Sequence, residues 1–212
     1  MSQLAAEKPS RSSSSARTRL AVDARRAQLL ELGQELFSTH SYDELSIDDI
    51  ARAAGISKGL LYHYFPSKRD YYVATVHAAS AELLRQTQTP ADAAPLERLR
   101  AGLDAYLGYV ERHATAFATL LRSGVGFDPE VSAIVEGTRQ AFLDRLRSGA
   151  ADPSPALRNS LRGWIGFVEA CVLDWLDHGD VSRDRLLEVL VSMAESAVSH
   201  ASQSASSVAR KH

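Results

Sequence analysis

Cysteine occurs once in these 212 residues, at Cys171. One thiol closes no intramolecular disulfide and builds no multi-cysteine metal site, and beside Val172 on an apolar stretch its expected role is packing. Long apolar runs are missing too: no stretch approaches the roughly 20 residues that span a bilayer. The opening segment MSQLAAEKPSRSSSSAR lacks the apolar core of a secretory leader. Both absences give the expectation of a cytoplasmic chain with no membrane partner. The seven histidines are scattered without metal-ligand spacing, and there is no H-E-x-x-H, no nucleophile elbow and no glycine-rich phosphate loop behind a strand. The expected protein is therefore not an enzyme and calls for no metal and no cofactor. Strand-like alternation is almost absent, which leaves an all-α fold.

The formal net charge of −2 looks wrong for a partner of nucleic acid until it is resolved along the chain. Residues 1 to 26 hold Lys8, Arg11, Arg17, Arg19, Arg25 and Arg26 against Glu7 and Asp23, six basic against two acidic, or +4. The remainder therefore sums to −6. A basic arm concentrates attraction for phosphate at one end, while an acidic body lowers nonspecific adhesion. The other reading of the arm is a disordered serine-rich leader with incidental arginines.

Residues 46 to 69, SIDDIARAAGISKGLLYHYFPSKR, carry the most specific pattern. Ser46 and Asp49 form a capping box ahead of the apolar stripe Ile47, Ile50, Ala51 and Ala54. Gly55 supplies the positive φ that ends a helix most cheaply, Ile56 packs under the turn, and Ser57 caps the next helix. Ser67 and Asp70 start a third. Two short helices around Ala54-Gly55-Ile56-Ser57 are a helix-turn-helix. In the second of them Leu60, Leu61 and Phe65 are expected to anchor, leaving Lys58, Gly59, Tyr62 and His63 facing out. Lys58 reaches a phosphate or a guanine edge, and Tyr62 offers a ring to thymine methyls and a hydroxyl to phosphate. Gly59 is small where a helix start lies close to DNA. The competing reading places the aromatic side chains in the core; it holds for Phe65 and stays open for Tyr64.

Residues 25 to 70 resemble the TetR-type transcriptional regulators. The stretch RRAQLLELGQELF is similar to that family's first helix, and Ala51 to Lys68 matches its pattern A-x-x-A-G-[IV]-S-x-G-x-[LI]-Y-x-x-F-x-x-K at every position. One departure is Ser41, where the family usually has glycine before the aromatic, here Tyr42. A left-handed serine costs about 1 kcal/mol relative to glycine, so the loop is expected to take a different path. The resemblance implies a nine-helix fold and binding of a double-stranded DNA operator, and it carries over Ser46, Ser57 and Lys68 as backbone contacts at helix N-termini and His63 and Tyr64 as a phosphate-contacting pair. Both serines also serve as caps, so their two roles stay unseparated.

Helical periodicity separated by Pro, Gly, Asp and Ser predicts helices near 20–39, 47–53, 57–63, 68–86, 95–112, 114–122, 129–148, 155–177 and 182–201. The domains expected are a disordered arm at 1–19, a helix-turn-helix domain at 20–66, an effector-binding and dimerisation domain at 67–201, and a disordered tail at 202–212. Helix 155–177 has a broad apolar face, Leu157, Leu161, Trp164, Ile165, Val168, Cys171, Val172 and Trp175, with a separate strip of Gly163, Gly166 and Ala170. Helix 182–201 adds Leu186, Val189, Leu190, Met193 and Ala197. Such surplus is satisfied by packing on a symmetry mate as a four-helix bundle, and in TetR-like proteins these two helices make the homodimer. Tyr106, Tyr109, Phe117, Phe127, Phe142, Trp164 and Phe167 are either core or, as the resemblance implies, the lining for a small hydrophobic or aromatic effector. Asp174 is a candidate to hold the ligand's donor or a basic residue across the dimer, with His113 and Arg122 as further polar neighbours. The expected function is a ligand-responsive repressor on a palindromic operator. The alternative is a dimeric DNA-binding protein without small-molecule control.

Overall fold

The computed structural model describes residues 11–124, 128–147 and 154–209. Among them are nine α-helices and no strand: α1 (Arg11–Thr39), α2 (Ile47–Ala53), α3 (Lys58–Tyr64), α4 (Lys68–Gln86), α5 (Pro95–Arg112), α6 (Ala114–Thr119), α7 (Pro129–Arg147), α8 (Pro155–His178) and α9 (Arg183–Ala209). A π-helical turn, Leu120–Gly124, continues α6. No helix of the described residues is long and apolar enough to cross a membrane.

The punctuation expected from the sequence sets the helix starts. The Ser46 hydroxyl accepts from the Asp49 amide and the Asp49 carboxylate accepts from the Ser46 amide, a complete capping box. Ser57, Asp128, Ser154 and Ser182 accept from first-turn amides of α3, α7, α8 and α9. Gly179 ends α8 at φ 62°. Two helices run longer than expected. Residues 11–19, assigned above to a disordered arm, are the first turns of α1, and residues 202–209, assigned to a disordered tail, belong to α9. Extending an existing helix adds one hydrogen bond per residue fixed, so serine-rich ends propagate where they would not nucleate. Residues 1–10 and 210–212 of those segments lie outside the described residues, as does Phe127.

The chain forms two compact units, residues 1–75 and 76–212. The division falls within α4 rather than at the expected 66/67, because the start of α4 is part of the first core. That core joins Leu29 and Phe37 of α1, Leu45, Ile47, Ile50 and Ala51, Leu61 of α3, Phe65, and Tyr71 of α4. Phe65 meets Tyr71 edge-on at 5.0 Å and Phe37 meets Tyr72 at 4.9 Å. Phe65 and Tyr71 are fully buried, so truncating either costs about 3–5 kcal/mol. The loop before α2 follows a route that spares Ser41 a left-handed backbone: no described non-glycine residue has positive φ, and the Ser41 amide donates to the Glu44 carboxylate at 2.7 Å.

In the second unit α8 and α9 pack along each other, and α9 also packs on α5. Tyr106, Leu107 and Val110 of α5, Trp164, Ile165, Val168 and Val172 of α8, and Leu187, Leu190 and Val191 of α9 form its centre, with Leu143 of α7. The indole N–H of Trp164 donates to the Leu190 carbonyl at 3.0 Å, which ties the two long helices together while satisfying a buried donor. Arg139 of α7 grips Glu169 of α8 with two hydrogen bonds of 2.7 and 2.8 Å. Glu169 thus pairs α8 with α7.

Candidate nucleic-acid interface

The turn between α2 and α3 closes by main-chain geometry. Gly55 sits at φ 63°, its N–H donates to the Arg52 carbonyl at 3.1 Å, and the Ile56 N–H reaches back to the Ala51 carbonyl at 3.0 Å. This double closure is the Schellman arrangement, which needs a residue free to adopt φ > 0. Ile56 packs onto the first core beneath it. The chain therefore leaves the turn in one direction, and α3 begins at once under the Ser57 cap.

From one side α3 is held by Leu61 and Phe65, 0% and 2% exposed. At 100° per residue the opposite arc runs through Lys58, Tyr62, Gly59, His63 and Leu60. Tyr62 is 40% exposed and His63 lies open. A Cβ built on Gly59 would meet nothing within 4 Å, so nothing in the chain itself requires glycine there. Tyr64 is half-buried: its ring packs on the first core and stands edge-on to His63 at 5.5 Å.

One side chain departs from the sequence reading, and two have partners that it did not name. Leu60, assigned as an anchor, is 40% exposed, because the short α3 has room for one buried column, and Leu61 and Phe65 fill it. Lys58 does not stand free. Its ammonium donates to Asp48 of α2 at 2.9 Å, and this partner raises its pKa. Such an exposed pair is worth little to the stability of the fold. Lys68, at the first position of α4, lies 4.2 Å above the Tyr42 ring, a cation–π contact that positions it over the loop. Ser46 and Ser57 are exposed and their hydroxyls are engaged in capping.

In the second unit Tyr106 gathers Phe117 and Phe142 edge-on at 5.9 and 6.2 Å, and Phe167 and Trp164 pack on the same core. Tyr109 is only 4% exposed, donates to the Ala79 carbonyl at 3.1 Å and lies against His113. Burial pushes the Tyr109 phenol up to about 12 and the His113 imidazole down. Asp174 does not join this group: its side chain is 74% exposed and its carboxylate faces His178 at 3.5 Å. Its position on α8 lies past the edge of the protomer core, which removes it from the aromatic cluster. Arg122 likewise is exposed and paired with Asp177.

A family model for the N-terminal part of bacterial regulatory proteins of the tetR family matches residues 29–75, the helix-turn-helix just described. A second, for tetracyclin repressor-like C-terminal domains, matches residues 95–195. The chain belongs to the TetR family. It is similar to the HTH-type transcriptional activator FasR of Mycolicibacterium smegmatis, 28% identical over 191 residues that cover 86% of each chain. The HTH-type transcriptional regulator EthR of the same organism is 30% identical over 152 residues, 64% of this chain and 67% of EthR. A tetR-family regulator from Streptomyces coelicolor superposes with a TM-score of 0.74 at 33% identity, covering 84% of this chain and 80% of that one. This TetR-family protein is thus a helix-turn-helix DNA-binding transcriptional regulator and not an enzyme.

Sequence reasoning overlooked two partners in this TetR-family chain. Asp48 was legible as a first-turn acid of α2, but its pairing with Lys58 depends on how the two helices cross. Arg145 of α7 donates to the Leu84 carbonyl at 2.7 Å and to the Thr87 hydroxyl at 3.0 Å, with its guanidinium 5.5 Å over Phe142. No local pattern marks these two hydrogen bonds, since their acceptors lie about sixty residues away in sequence.

Proposed function

We propose that this regulator is a homodimeric repressor that binds a palindromic operator through residues 46–68 and leaves it when a small hydrophobic or aromatic effector enters the second unit. The observation that carries the DNA half is the open arc of α3. A helix held by Leu61, Phe65 and the half-buried Tyr64 presents Tyr62, His63, Leu60 and the bare backbone at Gly59 to one groove. Ser46, Ser57 and Lys68 stand at helix starts, where amides and dipole favour phosphate; Lys58 joins them by leaving Asp48.

Dimerisation is supported by what α8 and α9 leave uncovered. Gly163, Gly166 and Ala170 form an exposed strip, a Cβ at either glycine would meet nothing, and Met193 is 43% exposed. A two-fold axis along these helices buries the strip and imposes a palindrome on the DNA.

The effector half rests on Tyr106, Phe117, Phe142, Trp164, Phe167 and Tyr109. Phe142 underlies Arg145, which holds the end of α4, and α4 also supplies Tyr71 to the first core. A ligand that displaces Phe142 therefore loosens a helix belonging to both units. A preference of 1–3 kcal/mol for the loosened form shifts operator affinity about 5- to 150-fold. The test is direct. Sequences are selected from random duplex DNA, a binder is found by a thermal-shift screen of apolar metabolites, and the selected site is titrated with and without it. Two-fold symmetric sites whose affinity falls with the binder support the reading; symmetric sites indifferent to a bound ligand support the form without small-molecule control.

A further inference from the structure

The surface of α3 carries one aliphatic side chain whose placement has no explanation inside the protein. Leu60 is 40% exposed beside Leu61 at 0%. Ile56 and Tyr64, on either side of it in sequence, pack onto the first core, and Leu60 does not join them. On the helical wheel Leu60 is one edge of the open arc, next to His63, and Lys58 is the other, next to Tyr62. The other side chains of the arc, Lys58, Tyr62 and His63, all end in polar groups, so Leu60 is its one aliphatic member.

In the major groove the feature that an apolar branched side chain recognises is the C5-methyl group of thymine, which separates T from C without a hydrogen bond. We infer that Leu60 reads a thymine methyl in each half-site and is a specificity-determining residue of this regulator. The inference rests on the reading of α3 as the recognition helix. It assigns Leu60 a role distinct from phosphate anchoring: removing its isobutyl group relaxes the choice at one base pair and leaves the response to salt unchanged, because no counterion is released by an apolar contact. Burying one methyl group against one apolar side chain corresponds to about a four-fold preference.

The experiment uses the full-length protein and its leucine-to-alanine variant, Leu60→Ala, on a site selected from random DNA by the wild type. Each thymine in the selected half-site is replaced in turn by deoxyuridine, which removes only the methyl. One position should lose about four-fold affinity for the wild type and almost nothing for Leu60→Ala, and the salt slopes of the two proteins should agree. A uracil penalty of the same size in both proteins, or none at any thymine, overturns the inference while sequence-specific binding by α3 stands. Failure of the wild type to select any sequence overturns the reading of α3 itself. The side chain is at the surface, so matching thermal melts of the two proteins show that the fold is intact.

Discussion

The Tyr71 hydroxyl fills the space that a side chain on Gly33 would need. A Cβ at Gly33 would lie 2.8 Å from that hydroxyl and 2.5 Å from the Thr75 hydroxyl, and Tyr71 uses the gap to donate to the Leu29 carbonyl at 2.6 Å. A helical glycine is thus exchanged for close passage of α4 over α1. Gly33→Ala gains up to about 1 kcal/mol of helix propensity but overpacks this contact at a cost of about 1–3 kcal/mol. Urea unfolding should show a net loss of about 1–2 kcal/mol; a more stable variant would contradict the packing described.

Gly59→Ala should behave in the opposite way. Its Cβ meets nothing in the chain, so the variant should unfold at equal or higher urea concentration, with a gain of up to about 1 kcal/mol. Its affinity for the selected operator should nevertheless fall, because the added methyl stands where α3 approaches DNA. Unchanged binding in gel shifts would remove Gly59 from the interface.

Charge on the exposed face of α9 separates dimerisation from folding. The sequence made Leu190 and Met193 equivalent members of one stripe, but Leu190 is 0% exposed within the protomer and Met193 is 43% exposed. Met193→Glu should give folded monomers by sedimentation, with weakened operator binding. Leu190→Glu should prevent folding outright. A wild type that sediments as a folded monomer at micromolar concentration would refute the dimer.

Arg145→Gln tests transmission. It removes the bidentate hold on Leu84 and Thr87 but keeps an amide over Phe142. Effector affinity by calorimetry should change less than about three-fold, while the effector-induced drop in operator affinity should shrink by about 1 kcal/mol of coupling. An undiminished response would show that α4 is not moved through this residue.

Alkaline titration tests the cores. Burial raises the phenols of Tyr71, Tyr106 and Tyr109, the last to about 12. These groups stay protonated when folded and ionise near 10 when unfolded. Their contribution is therefore intact below pH 10 and is lost as pH rises toward 12, at about 1.4 kcal/mol per pH unit for each group. Absorbance at 295 nm should show three tyrosines ionising only with unfolding. Ionisation of all seven before the loss of helicity would disprove their burial.

Local chemistry was legible where a residue's job is completed within one turn of chain. The box at Ser46 and Asp49, the φ of Gly55 and the cap at Ser57 formed as expected because their partners sit three to five residues away. Leu60 was misplaced for the opposite reason: periodicity marks Leu60 and Leu61 alike, and only the width of the groove offered by the other helices decides which one is covered. Asp174 shows the same limit: its sequence position made it a candidate to hold the ligand's donor, but could not say that its side chain lies outside the protomer core.

The sequence by itself determined the nine helices, the helix-turn-helix and the TetR-family membership, because capping, helical period and motif spacing are all short-range. Tertiary structure alone decided that Lys58 rests on Asp48, that Lys68 lies over Tyr42, that Leu60 is exposed and that Arg145 joins Phe142 to α4. Those four depend on the relative placement of elements distant in sequence. That placement emerges from the summed packing of each core rather than from any local signal.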